Sequence, residues 1–121
     1  WEVFSPAALE TNRSQGRAVL VDFTAAWCLS CQVNERIAFR TDEVRRAFAD
    51  ANITLLRADW TSRSAEIAEI ISSFGRSGIP LYVLYPAGVG SKAELLPTIL
   101  TPSILIDAVH RASQAGIHEP Q

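Results

Sequence analysis

Two cysteines stand three apart in Trp27-Cys28-Leu29-Ser30-Cys31, directly after the apolar run Ala18-Val19-Leu20-Val21-Asp22-Phe23, and the chain has no others. A strand feeding a Cys-x-x-Cys at the start of a helix is the layout of a dithiol that closes on itself and reopens. A pair so close in sequence closes a very short loop, so it adds little as a staple for the fold. Its chemistry is exchange: a thiolate attacks a disulfide sulfur, a mixed disulfide forms, and the second thiol resolves it. Cys28, at the helix start, is the expected attacking thiol, with its sulfur the exposed one and the free backbone N–H groups favouring thiolate. Cys31, one turn in, is the expected buried resolving thiol. A zinc site needs about four ligands, and beyond the two cysteines only His110 and His118, far along the chain, are available.

The elements that must hold this pair can be read from periodicity. Ser5-Pro6 reads as a cap and first helical residue, with a short helix to about Arg13 and a turn at Gly16. Arg17 to Thr24 reads as a strand whose continuous apolar centre predicts burial on both faces. A helix is expected from Cys28 to about Arg40, with Val33 and Ile37 on one face and Cys28, Cys31 and Glu35 on another. Asp42 and Glu43 open a further helical segment that turns Val44 and Phe48 inward. Ile53 to Trp60 is the next strand. Ser62 or Ser64 caps a helix carrying Ile67, Ile70, Ile71 and Phe74, which Gly75 stops. Leu81 to Tyr85 is a strand between Pro80 and Pro86, Gly88 and Gly90 mark a turn, and Ala93 to Leu96 is a short paired strand. Thr101-Pro102 opens the last helix, with Ile104, Leu105, Ala108 and Val109 inward. With a short first strand near Glu2 to Phe4, the order predicts an α/β fold: a mixed central sheet flanked by helices on both faces.

The 121 residues suffice for one domain with one core, and 48% apolar with 20% charged residues is a globular balance. Net charge is −2, and no basic block or aromatic-basic stripe points to nucleic acid. Apolar runs fall far short of the ~20 residues of a membrane helix. No charged-then-apolar leader is visible, and the chain begins at Trp1. We expect a single, monomeric domain over 1–121, excised from a larger membrane protein, with 114–121 as a frayed tail.

The markers Val21-Asp22-Phe23, Trp27-Cys28-x-x-Cys31 and Gly78-Ile79-Pro80 before a strand resemble the thioredoxin superfamily, over roughly Arg17 to Ala112. Within it, Thr24-Ala25-Ala26-Trp27-Cys28, Cys31-Gln32-Val33-Asn34-Glu35, Gly78 through Pro86 and Leu95 through Pro102 are similar to the C-terminal periplasmic domain of DsbD-type transmembrane thiol:disulfide interchange proteins, including their ScsB-like relatives. The resemblance implies a thioredoxin fold and a periplasmic protein-disulfide reductase. It implies electrons received from a membrane-embedded redox domain and passed to periplasmic thiol/disulfide proteins, with no cofactor beyond the Cys28–Cys31 disulfide. A free-standing thioredoxin, a thiol oxidase and a non-catalytic thioredoxin-like binding module are the alternatives.

The resemblance also assigns roles. Asp22 takes the place of a buried acid that exchanges a proton as Cys31 attacks or leaves; the alternative is a strand-end acid turned to water, against which Leu20, Val21 and Phe23 weigh. Glu35 is one helical turn beyond Cys31, and either joins Asp22 near the cysteines or is an exposed helix acid paired with an arginine. Arg57 either neutralises Asp22 or is solvated. Trp27 forms an apolar rim beside Cys28 or packs in the core. Pro80 is expected in cis, leaving backbone groups of Ile79 free to pair with an extended partner segment. Trp60, Tyr82 and Tyr85 read as core or sheet-face residues, and His110 and His118 as surface residues.

Two carboxylates near the dithiol oppose thiolate formation by an amount similar to or larger than the roughly 0.3–1 kcal/mol of a helix dipole. Ser30 stands where strong oxidants of the DsbA type carry a histidine. Both features predict a Cys28 thiol that is not strongly acidic, and hence an electron donor rather than an oxidant.

Overall fold

The computed structural model describes residues 1–88 and 92–117. The elements are β1 (Glu2–Val3), α1 (Pro6–Ser14), β2 (Val19–Thr24), α2 (Leu29–Asn34) continued by a π-helical turn (Glu35–Phe39), α3 (Asp42–Asp50), β3 (Thr54–Asp59), α4 (Ala65–Ser73), β4 (Leu81–Tyr85), β5 (Glu94–Leu95) and α5 (Pro102–Ile117). One sheet runs β1-β3-β2-β4-β5, with β1, β3 and β2 parallel and β4 and β5 antiparallel to their neighbours. This is the predicted mixed sheet, and β2 at its centre is buried on both faces as its apolar run required.

Strand parity divides the core. Val19, Val21 and Phe23 of β2 join Leu56 and Ala58 of β3, Leu81 and Val83 of β4, and the apolar faces of α1 and α4. Leu20 of β2, with Tyr82 and Leu84 of β4, meets Ala38 and Phe39 of the π turn together with α3 and α5. Side chains two apart share a face, so Asp22 lies with Leu20, on the side covered by α2. In register, Asp22 stands opposite Arg57 on β3 and Tyr82 on β4. The pleat alone therefore lines up a cation, an acid and a phenol across three strands beneath the helix that carries Cys31.

Several boundaries differ from expectation. The helix predicted from Cys28 to Arg40 is α-helical only to Asn34 and then widens, with the Arg40 amide donating to the Glu35 carbonyl at 3.0 Å. The extra residue per turn buries the adjacent Ala38 and Phe39 together and leaves Val33 and Ile37 at 40% and 46% exposure. Ser64, not Ser62, caps α4, its hydroxyl accepting from the Ile67 amide. α5 continues through Gly116 to Ile117, one glycine costing a helix only about 1 kcal/mol. Gly88 has φ +98°, as its turn requires; Gly90, His118 and the rest of the expected frayed tail lie outside the described residues.

Candidate active site

Cys28 caps the N-terminus of α2 in extended conformation, and its sulfur accepts a hydrogen bond from the Cys31 amide at 3.2 Å. The two cysteines form a disulfide with their Cα atoms 5.3 Å apart. Ala25 and Ile79 pack against it, and the Ile79–Pro80 peptide bond is cis. Both residues are buried in the closed pair, Cys28 at 7% exposure and Cys31 at 4%.

Behind Cys31 the predicted acids come together around one arginine. Arg57 Nη2 donates to Glu35 Oε1 at 3.1 Å, and Arg57 Nε lies 4.0 Å from Asp22 Oδ2. Glu35 also faces Arg40 Nε at 3.7 Å. A polar cleft of about 410 Å³, lined by Cys31, Gln32, Glu35, Arg57, Asp59 and Thr61, connects this group to solvent. Asp22 sits deeper, 4% exposed, and its Oδ1 has no hydrogen-bond partner among the described residues. Burial lifts its pKa to about 7; the Arg57 cation opposes that rise and the Glu35 charge adds to it. Glu35, with its side chain only 18% exposed, pairs with Arg40 and Arg57, and Arg57 links it to the buried acid. Arg57 pairs with both acids while its side chain stays 37% exposed.

Residues to which the sequence assigned no role complete this side. Trp1 stacks on Arg57, its ring centroid 4.6 Å from the guanidinium carbon, and meets Phe39 edge-on at 5.2 Å. Asn34, 3% exposed, donates to the Tyr82 hydroxyl at 2.8 Å and to the Thr98 carbonyl at 2.9 Å, and accepts from the Leu100 amide at 3.0 Å. One side chain thus ties the cysteine helix to β4 and to the loop before α5. Burial pushes the Tyr82 hydroxyl well above its ordinary range, with the Asp22 and Glu35 charges adding to the rise. The only available signal for Asn34 was a polar residue on the helix face that also carries Cys31.

In front of Cys28 the arrangement is open. Trp27 is 41% exposed, a rim and not a core residue, and its indole N–H donates to the Thr61 carbonyl at 3.1 Å. Thr61 Oγ1 accepts from the Ala26 amide at 2.9 Å, while Asp59 accepts from the Thr61 amide and hydroxyl, which hold its carboxyl below the usual range. Trp60 is buried and meets Trp27 with centroids 5.9 Å apart. No trio of His, Cys, Asp or Glu among the described residues is placed to hold a metal.

Residues 1–87 match the thioredoxin-like family. The thiol:disulfide interchange protein DsbD of Ralstonia nicotianae is 36% identical over 80 residues, 66% of this chain and 13% of that protein. DsbD of Pseudomonas fluorescens is 39% identical over 82 residues, 64% of this chain and 14% of that protein. The chain thus spans a small fraction of the length of these relatives. The C-terminal domain of Neisseria meningitidis DsbD in its oxidised form superposes with a TM-score of 0.69 at 24% identity, covering 88% of this chain and 87% of that one, a likeness of fold. The matched residues, the sheet order and the disulfide at the head of α2 together place this chain in the thioredoxin-like family, as a DsbD-like member.

Proposed function

We propose that this chain is a thiol:disulfide oxidoreductase domain working as a protein-disulfide reductase in a periplasmic relay. It takes two electrons from a membrane-embedded redox domain and delivers them to disulfides of periplasmic proteins. The observation that carries this reading is the disulfide at the start of α2 with a buried, proton-holding acid behind it. In the reduced domain the Cys28 thiolate attacks a partner disulfide and releases one partner thiol. Cys31 then attacks Cys28, closing the domain disulfide and releasing the second thiol. The two electrons come from the dithiol, so the exchange requires no separate cofactor.

Cys31 must lose a proton to attack and regain one when the domain is reduced again. Asp22, with a pKa near 7, is matched to that transfer at neutral pH. Arg57 links it to Glu35 at the cleft that Cys31 also lines. Trp27 and the Ile79-Pro80 edge flank Cys28 where a partner segment would lie. No helix among the described residues is long and apolar enough to cross a membrane.

The reduction potential of Cys28–Cys31, titrated against dithiothreitol or glutathione, tests the direction of flow. A value near about −270 to −200 mV is expected of a donor; one near −120 mV would make the domain an oxidant and overturn the reading. A pair that fails to alkylate at Cys28 after mild reduction would mark a closed binding module instead.

A further inference from the structure

Arg63 has φ +55°, a left-handed conformation uncommon for a residue with a side chain. The loop holding it is tied down on both sides, by the Arg63 amide to the Trp60 carbonyl at 3.0 Å and by Thr61 to Ala26 and Trp27. This conformation lays the guanidinium across Trp27 at 4.1 Å from the ring centroid and reaches Trp60 at 5.4 Å. Trp27 is the residue before Cys28, so a cation is fixed on the rim of the disulfide. The acids at this end of the molecule are engaged elsewhere: Asp59 with Thr61, Glu35 with Arg57 and Arg40, Asp22 with Arg57. Among the described residues Arg63 forms no ion pair and no side-chain hydrogen bond, and it is exposed. Stacking restrains a guanidinium by its face and leaves its N–H edge available to a carboxylate.

We propose that the Trp27–Arg63 rim recognises an acidic side chain flanking the cysteine of the protein that exchanges with Cys28. The inference rests on the exchange reading above and adds the chemistry of the partner. A carboxylate there pairs with the guanidinium edge while its aliphatic stem lies on the exposed indole, seating the neighbouring sulfur at Cys28. A basic residue in the same place meets repulsion, which supplies discrimination as well as attraction.

The test uses the reduced domain and three extended peptides differing only in Glu, Gln or Lys beside one cysteine, each capped as a mixed disulfide with neutral 2-mercaptoethanol. Rates are read by acid quench, alkylation and mass. We expect the Glu peptide to exchange about 3-fold faster than the Gln peptide and the Lys peptide slower, a preference typical of an exposed ion pair. The ratio should shrink in high salt, persist in Arg63→Lys, fall to about one in Arg63→Gln, and invert in Arg63→Glu. Equal rates in the wild type, or a Glu preference that survives Arg63→Gln, would overturn the proposal and leave the reductase reading standing. A wild-type domain that exchanges with none of the three would overturn both.

Discussion

The two sides of the disulfide use the same device for opposite ends. Behind Cys31, Arg57 stacks on Trp1 and spends its charge on Glu35 and Asp22. In front of Cys28, Arg63 stacks on Trp27 and pairs with no acid of the described residues. The inner arginine is partly covered, its side chain 37% exposed, and it stands against a carboxylate whose proton affinity burial has raised. The outer one lies in water, where an unpaired guanidinium costs little and remains available. The contrast teaches that the acids within reach, not residue type, decide whether a stacked arginine is paired internally or keeps its edge available. Under the proposed function it separates two tasks of an exchange site, with proton handling on the side of the resolving thiol and docking on that of the attacking one.

This division can be broken in graded steps. Cys31→Ser has the largest effect: the attacking thiol remains but nothing resolves it, so a mixed disulfide with the partner should accumulate at Cys28, visible by non-reducing electrophoresis, and turnover should cease.

Asp22→Asn comes next. It should slow the Cys31 step by about 100-fold at neutral pH, the low end of what a positioned proton carrier contributes. The wild-type break in rate near pH 7 should vanish with it. Stability should move the other way. The folded pKa of about 7 lies above the ordinary 3.8, so the folded protein binds the extra proton. The stability this group contributes is full below about pH 3.8 and is lost as pH rises through 7. Asn carries no such dependence, so in urea titrations the variant should gain on the wild type from pH 5 to pH 9; an unchanged difference would mean that Asp22 does not titrate there.

Glu35→Gln and Arg57→Gln sharpen the same side with smaller and opposite shifts. Removing the Glu35 charge lowers the Asp22 midpoint below about 7, and removing the Arg57 cation raises it above that value. The change should be larger for Arg57, whose influence on Asp22 exceeds that of Glu35; carboxyl infrared or NMR titration reads both. Trp1→Ala should destabilise the fold by only about 1 kcal/mol, the size of one exposed cation–π contact with one aromatic pair. Under the same division it should leave the peptide charge preference of Arg63 untouched.

Much of this was legible before any coordinates. The apolar run at 18–23, interrupted only by Asp22, announced a strand buried on both faces, and the family resemblance marked Asp22 as its buried acid. Pro80 and Pro86 bounded β4 to the residue. The helix after Cys28 was legible as a helix but not as one that widens at Glu35, because the change of pitch answers the packing of Ala38 and Phe39 against α3, α5 and Tyr82, residues remote in sequence. Asn34 gave no local sign of its three long-range hydrogen bonds, and Arg63 looked like any loop arginine.

By itself the sequence determined what depends on neighbours along the chain: the pleat that turns Asp22 to the face of Leu20, the turn of helix that separates Cys28 from Cys31, and the cap at Ser5. The tertiary structure decided what depends on neighbours across it. It set Arg57 opposite Asp22, laid Trp1 over that arginine, packed Ile79 against the cysteine pair and left Arg63 without an acid among the described residues. The physical reason is range. Backbone sterics and local hydrogen bonds act within a few residues, whereas burial, which lifts Asp22 to near neutrality, exists only once the sheet and the helix covering it have come together.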